Sequence, residues 1–189
     1  MTKSQQNISD SWDRSLYCYG TAYILQYKIK WISILNTIIK FIGLAIPLVI
    51  GGVVISFGYE KNLMPVLLII LGILSIIQLV VSLWALIDGW DKKIEIYTES
   101  KLKNAELSDL FKDVAQRYDQ DKEKYENIFN ELMIKDNIQR TSDNKIHFSD
   151  KEKRKGLRAG LYQFQRKCLS CNQIPKSLKA SNCEICGNF

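Results

Sequence analysis

The residues with the clearest chemistry are four cysteines near the end of the chain. Cys168 and Cys171 form one CxxC pair, eleven residues follow, and Cys183 and Cys186 form a second pair. Thiolates three positions apart on a tight turn can bind one side of a metal ion, and a second turn can complete a tetrahedron around Zn²⁺. Four thiolates would leave no position for water or substrate. The spacing therefore predicts a structural zinc site rather than a catalytic one.

Three other interpretations of these cysteines are chemically open. They are two disulfides in an oxidising compartment, a redox-active CxxC pair, and an iron–sulfur cluster. Two CxxC pairs within 19 residues, outside any βαβ pattern, favour zinc. We expect Gly187 to supply the positive φ that the second turn needs. His147 is expected to be a surface or cap residue rather than a ligand, and Cys18 a small buried apolar residue.

Two uncharged segments upstream have the length and composition of membrane spans. Leu63–Ile87 has 25 residues without a charge, about 37 Å as a helix. Phe41–Phe57 has 17 uncharged residues, and its apolar pattern extends back to Trp31. The linker 58–62 is long enough only to reverse the chain. We therefore predict an antiparallel transmembrane hairpin within residues 31–89.

Lysines beside the spans predict the orientation of this hairpin. Lys61 lies at the tip, whereas six lysines flank the other end: Lys28, Lys30, Lys40, Lys92, Lys93 and Lys101. Because cytoplasmic loops are enriched in lysine and arginine, both termini are predicted to be cytoplasmic. This orientation also places the cysteines in a reducing compartment.

Small and polar residues within the hairpin predict how its helices pack. Pro47 lies in mid-span, where its ring would press on the carbonyl of Gly43 and bend the helix. The alternative is that proline and glycine are simply common in membrane helices. Gly72 and Ser75 predict close helix approach, and Gln78 a hydrogen bond across an interface. Two helices cannot enclose a conduit, so any pore would require self-association.

The flanking segments are predicted to be amphipathic cytosolic helices. Residues 1–30 contain a helix over 12–30 that would lie either on lipid headgroups or against the chain's own helices. Residues 90–148 carry two apolar stripes at helical spacing: Leu107, Leu110, Phe111 and Val114, then Tyr125, Ile128, Phe129, Leu132 and Met133. Residues 149–189 combine a basic helix, opened by a Ser149–Glu152 capping box and running to about Lys167, with the zinc-binding tail.

The predicted fold class is mainly α: a two-helix transmembrane hairpin, amphipathic cytosolic helices and a small C-terminal zinc ribbon or knuckle. Residues 151–189 hold nine basic and two acidic side chains, whereas residues 88–150 hold 11 basic and 15 acidic. The basic segment 151–167 suits nucleic acid, a phosphorylated messenger or anionic lipid, or it is a solvated helix near the membrane. No catalytic motif is present, so we do not expect an enzyme.

The order of these elements resembles the SLATT superfamily of two-span bacterial membrane proteins. The matching features are the amphipathic segment Trp12–Lys30, the hairpin Trp31–Ile87 and the helices from Trp90 to about Met133. The tail resembles a family of bacterial mobile-element proteins defined by the spacing CxxC-x11-CxxC, which Cys168, Cys171, Cys183 and Cys186 match.

These resemblances imply a multi-pass protein of the bacterial inner membrane that acts as a non-enzymatic effector. It would form homo-oligomers and permeabilise or depolarise the lipid bilayer during antiviral defence against phage. The SLATT resemblance also implies a nucleotide-messenger synthase or a sensor as partner. The alternative is a membrane-tethered binding module whose basic zinc tail captures nucleic acid or a protein.

Overall fold

The computed structural model describes residues 2–57 and 64–189, which contain five α-helices and no β-strand. The predicted linker 58–62 and the start of the second apolar segment at Leu63 lie outside the described residues. The helices are α1 (Lys3–Phe57), α2 (Met64–Ile87), α3 (Trp90–Arg117), α4 (Lys122–Asp143) and α5 (Asp150–Gln163). The mainly α fold class is confirmed, but the tail is a pair of turns, not a ribbon.

The chain divides into two compact units that differ from the predicted segments. The hairpin unit is Ile29–Ile96, and the helical unit comprises the residues up to Lys28 together with Tyr97–Phe189. The helical unit therefore contains the N-terminal segment, the helices that follow α2 and the cysteine tail. The prediction had treated these three as separate regions, because local patterns do not reveal which apolar faces meet.

Helix α1 begins nine residues earlier than the predicted start at Trp12. The first three turns have few apolar residues, so their periodicity gives no signal in the sequence. They are held by the packing of Ile8 against the core and by a buried polar contact, in which the Asn7 side-chain amide donates to the Tyr118 hydroxyl (2.8 Å). Within the helix, the Ser11 hydroxyl donates to the Asn7 carbonyl. Both Asn7 and Ser11 are buried.

The core of the helical unit lies where α1, α3 and α4 meet. The two predicted apolar stripes supply most of it, and Phe111 packs edge-on against Phe129 with ring centroids 6.4 Å apart. Leu110 differs from the prediction because it remains partly exposed on the outer side of α3. The buried members of the core are Cys18, Leu107, Phe111, Val114, Tyr118, Tyr125, Phe129 and Leu132.

Buried polar pairs fix the contact between α1 and its neighbours. Ser15 donates to the Ser108 carbonyl (2.7 Å) and Ser108 donates to the Ser15 carbonyl (2.9 Å), so each hydroxyl satisfies the opposite backbone. Asp136 accepts from the Arg14 guanidinium at 2.7 Å. Cys18 is buried as predicted, but its Sγ also lies 3.6 Å from Asp136, and burial raises the pKa of its thiol.

Helices α1 and α5 approach so closely that glycine is required at three positions. A Cβ on Gly20 would lie 2.7 Å from the Gly156 carbonyl oxygen, and one on Gly156 would lie 2.8 Å from the Gly20 oxygen. A Cβ on Gly160 would lie 2.7 Å from the Leu16 carbonyl oxygen. Real Cβ atoms do not approach backbone oxygens this closely, so the two helices are in direct backbone contact.

In the hairpin unit, the second half of α1 lies antiparallel to α2. Asn36 and Lys40 near one end both donate to Asp91 (2.7 and 3.2 Å). Further along, Gln78 of α2 occupies the space left by the missing side chain of Gly43. Gly43 therefore accommodates a neighbouring side chain, a role that the bend prediction did not include, and α1 continues as a helix through Pro47.

Helices α1 and α2 are the two helices of the described chain that are long and apolar enough to cross a membrane. Their apolar side chains are largely uncovered: Leu44, Leu48 and Leu86 are 72%, 76% and 77% exposed. A Cβ on Gly72 would meet no atom within 4 Å, so the close approach predicted there is not made within one chain.

Candidate metal centre

Helix α5 leads the chain to the cysteine cluster, and its start at the Ser149 cap agrees with the prediction. Ser149 caps the helix: its hydroxyl accepts from the Glu152 amide, and the Glu152 carboxylate accepts from the Ser149 amide. The helix ends at Gln163, four residues before the predicted end. Gln165 adopts a left-handed conformation with φ of 50°, which turns the chain out of the helix and toward Cys168.

The two CxxC pairs form matching turns. In the first, the Asn172 amide donates to the Cys168 carbonyl (2.8 Å) and the Cys168 amide donates to the Gln173 carbonyl (3.0 Å). In the second, the Gly187 amide donates to the Cys183 carbonyl at 2.8 Å. In both turns, the amide of the residue after the second cysteine donates to the carbonyl of the first cysteine. Two short-range turns therefore position all four sulfur atoms.

The predicted role of Gly187 is wrong. Among the described residues after α5, positive φ occurs at Gln165 and at Asn172, where it is 54°, and not at Gly187. Asparagine tolerates this conformation better than most residues. Glycine is needed at 187 for a different reason. A Cβ there would lie 2.7 Å from the Ser181 carbonyl oxygen. Ser181 is held this close because its amide donates to the Gly187 carbonyl.

The sulfur atoms have the arrangement of a single-ion site. All four Sγ atoms lie within 4.8 Å of one another, with Cys168–Cys183 at 4.0 Å and Cys171–Cys186 at 3.9 Å. A disulfide would bring two sulfurs to about 2.05 Å, and the four cysteines are free thiols. Four sulfurs tetrahedrally placed about 2.3 Å from one ion would be about 3.8 Å apart. The cluster therefore has the spacing to hold one metal ion.

The family assignment follows from this tail and the chain before it. A family model described as "Mobilome CxxCx(11)CxxC protein" matches residues 9–189. The chain belongs to this family. The match covers the helices as well as the cysteines. No curated protein and no solved structure shows significant similarity to the chain.

In this family member, the protein environment distinguishes the four thiols. Cys168 and Cys186 are buried against α1 and α5, whereas Cys171 and Cys183 are half-buried. The backbone amides of Cys186 and Ile185 lower the pKa of the Cys183 thiol to about 6. Burial raises the pKa of the Cys186 thiol. Donation from backbone amides to a cysteine sulfur favours the thiolate, the form that binds metals.

An apolar cluster attaches the turns to the helices. Leu16 of α1 and Leu161 of α5 pack with Cys168 and Cys186. Phe164, just beyond α5, lies edge-on to two rings of α1, those of Trp12 (6.1 Å) and Tyr19 (5.8 Å). The N-terminal helix thus packs on its own chain, which is one of the two environments that its amphipathic pattern predicted.

Arg158 is the residue of this centre that sequence reasoning missed. It is buried on α5 and donates to the Ser177 carbonyl (2.8 Å), the Ser181 hydroxyl (3.0 Å) and the Cys186 carbonyl (3.2 Å). It thereby connects α5 to the loop between the turns and to the second turn itself. Six other basic residues lie within 151–167, and no local sequence pattern distinguishes Arg158 from them.

Several other residues of the predicted basic surface are also used internally. Arg154 donates to the Asn188 carbonyl (2.9 Å), and Arg166 pairs with Asp13 of α1 (3.0 Å). Lys155 lies 3.7 Å above the ring of Tyr27. His147 is exposed in the connection between α4 and α5 and is not part of the cysteine cluster, in agreement with the prediction. Much of the positive charge of 151–167 therefore holds the tail in place.

Proposed function

We propose that α1 and α2 cross a lipid bilayer as a hairpin and anchor a metal-stabilised helical unit to the bacterial inner membrane. The exposed apolar surface of the hairpin unit supports this proposal. Each large aliphatic side chain left in water forgoes about 1.5–3 kcal/mol of burial free energy. Exposed aliphatic residues recur along α2 from Val66 to Ile87, where Ile69 is 62% and Ile76 66% exposed. Hydrocarbon, rather than water, is the compatible surrounding.

Both termini are expected to be cytoplasmic, because six lysines flank the open end of the hairpin and Lys61 alone lies at its tip. Alkaline phosphatase fused after Phe189 should be inactive, since it folds only in the periplasm, whereas green fluorescent protein at the same position should fluoresce. A control fusion after Phe57, near the tip, should show the reverse pattern. An active phosphatase after Phe189 would contradict the orientation.

The ion of the cysteine cluster is proposed to be Zn²⁺ with a structural role. Sulfur–sulfur distances of 3.9–4.0 Å across the cluster suit a single tetrahedral ion and leave no room for the several irons and sulfides of a cluster. Four thiolates complete the tetrahedron, so no coordination position remains for substrate. We therefore propose no catalytic role for this centre.

The function that we propose is that of a membrane effector in phage defence, which self-associates and permeabilises or depolarises the inner membrane. Three observations support it: the exposed hairpin, the membership of a mobilome family, and the resemblance of the element order to SLATT proteins. A hairpin of two helices cannot enclose an aqueous path, so the active form is proposed to be an oligomer. A nucleotide-messenger synthase or a sensor is the proposed source of the trigger.

Replacing Gly72 tests self-association, because its surroundings within one chain are empty. Gly72→Leu removes no contact within the chain, since a Cβ there meets nothing within 4 Å. If α2 packs on another copy through this position, the variant should cross-link less in membranes and lose the growth arrest and dye leakage that we expect when the wild-type protein is overexpressed. Ile69→Leu, one turn away and exposed, is the matched control and should behave as wild type.

A wild-type protein that stays monomeric in membranes and is harmless when overexpressed would contradict the effector proposal. That result would favour the tether, in which the hairpin only anchors the helical unit. Gly72→Leu would then have no effect on growth, and capture of nucleic acid through 151–167 would be the next property to measure.

A further inference from the structure

A cleft of about 910 Å³ opens in the helical unit, away from the four sulfur atoms. One wall is a face of α1 from Asp10 to Thr21, and the other is formed by the last turns of α4 and the connection to α5. A smaller apolar cavity of about 330 Å³ adjoins it and shares Tyr17, Thr21, Phe148 and Lys153. Ligand sites typically occupy about 300–1,000 Å³, so the volume of the larger cleft suits a small molecule.

Three basic side chains on the wall formed by the end of α4 and the connection to α5 have no hydrogen-bond or ion-pair partner among the described residues. Within residues 2–57 and 64–189, the side chains of Arg140, Lys145 and His147 make no hydrogen bond or ion pair, and all three line the cleft. The two buried carboxylates of the cleft are already engaged. Asp136 accepts from Arg14 at 2.7 Å. Asp143 accepts from three polar side chains, those of Ser100, Asn104 and Gln139.

Unpaired cations at a concave surface attract an anion, and phosphate is an anion that arginine and lysine commonly bind. Inorganic phosphate alone would leave most of this cleft empty. Two aromatic rings, of Tyr17 and Phe148, lie where the polar cleft meets the apolar cavity, and Tyr17 is 59% exposed. Exposed aromatic faces stack on planar heterocycles. Asp10, on the α1 wall, can accept from a sugar hydroxyl or a base amine.

We propose that this cleft binds a nucleotide, with its phosphates at Arg140 and Lys145 and its base against Tyr17 and Phe148. The proposal extends beyond the membrane and metal functions, because none of its residues lies in the hairpin unit or coordinates the ion. A nucleotide combines the three features that the cleft offers: anionic groups for the cations, a planar ring for the aromatic pair, and hydroxyls for the carboxylate.

Isothermal titration calorimetry with full-length protein in detergent tests the proposal. ATP, GTP, CTP and UTP serve as separate probes with magnesium present, and at least one should bind more tightly than about 1 mM. Arg140→Glu combined with Lys145→Glu should weaken that binding at least about tenfold. Lys122→Glu combined with Lys124→Glu, an equal charge reversal at two exposed sites outside the cleft, should leave it unchanged. Circular dichroism confirms that each variant is folded.

The ring contact is tested with a pair of variants. Tyr17→Ala should weaken nucleotide binding about tenfold, and Tyr17→Phe should restore it, because the stacking face and not the hydroxyl is needed. Failure of all four nucleotides to bind overturns the proposal, as does equal binding by the Arg140/Lys145 double variant. Zinc content is measured in the same variants. If it equals that of wild type, a loss of nucleotide binding is not caused by a loss of the metal.

Discussion

Cys168→Ser is expected to abolish stoichiometric metal binding and to unfold the tail. Structural zinc contributes about 10–16 kcal/mol to the folding of small domains. The tail has no helix or strand of its own, and its attachment to α1 and α5 is a small cluster in which cysteines make up much of the buried surface. So few apolar contacts cannot order it alone. Purified wild-type protein should contain about one zinc per chain by plasma mass spectrometry.

The unfolding should also reach α5, because the Arg158 guanidinium donates to three atoms of the tail: the Ser177 carbonyl, the Ser181 hydroxyl and the Cys186 carbonyl. Hydrogen exchange should therefore accelerate across residues 164–189 and in the last turns of α5. Ser170→Ala, a substitution at an exposed position between Cys168 and Cys171, is the matched control and should retain both metal and protection. Iron instead of zinc, or full metal content in Cys168→Ser, would contradict the proposal.

The cysteine cluster could be predicted from sequence because its geometry is local. A CxxC spacing allows two sulfurs to share one ion whatever surrounds it, and the four sulfurs do lie within 4.8 Å. The start of α5 was predictable for the same reason, since Ser149 and Glu152 satisfy each other across three residues. The apolar stripes of α3 and α4 likewise follow from helical periodicity.

Features that depend on distant partners could not be predicted. Asn7 looks like part of a polar N-terminal segment until Tyr118, more than a hundred residues away, supplies a hydrogen-bond partner. Arg158 resembles its exposed basic neighbours until the tail folds over it. Gly187 was assigned a conformational role, whereas the close approach of Ser181, which no local pattern encodes, is what requires glycine there.

The second large effect on stability is expected from a substitution where α1 and α5 cross. Gly20→Ala is expected to destabilise the helical unit by about 1–3 kcal/mol, the usual cost of overpacking. The added methyl would lie 2.7 Å from the Gly156 carbonyl oxygen and 2.9 Å from its carbon. Both are backbone atoms, which cannot rotate away, so the helices must separate. Separation would also loosen Leu16 and Leu161, which pack against the cysteines.

Gly52→Ala is the matched control, because it lies in the same helix and its Cβ would meet nothing within 4 Å. Alanine is favoured over glycine in a helix interior by about 0.5–1 kcal/mol, so this variant should be as stable as wild type or slightly more so. Thermal unfolding of the full-length protein in detergent, followed by circular dichroism, measures both. If Gly20→Ala gained stability as Gly52→Ala does, helix propensity alone would govern both sites, and the backbone contact between α1 and α5 would be refuted.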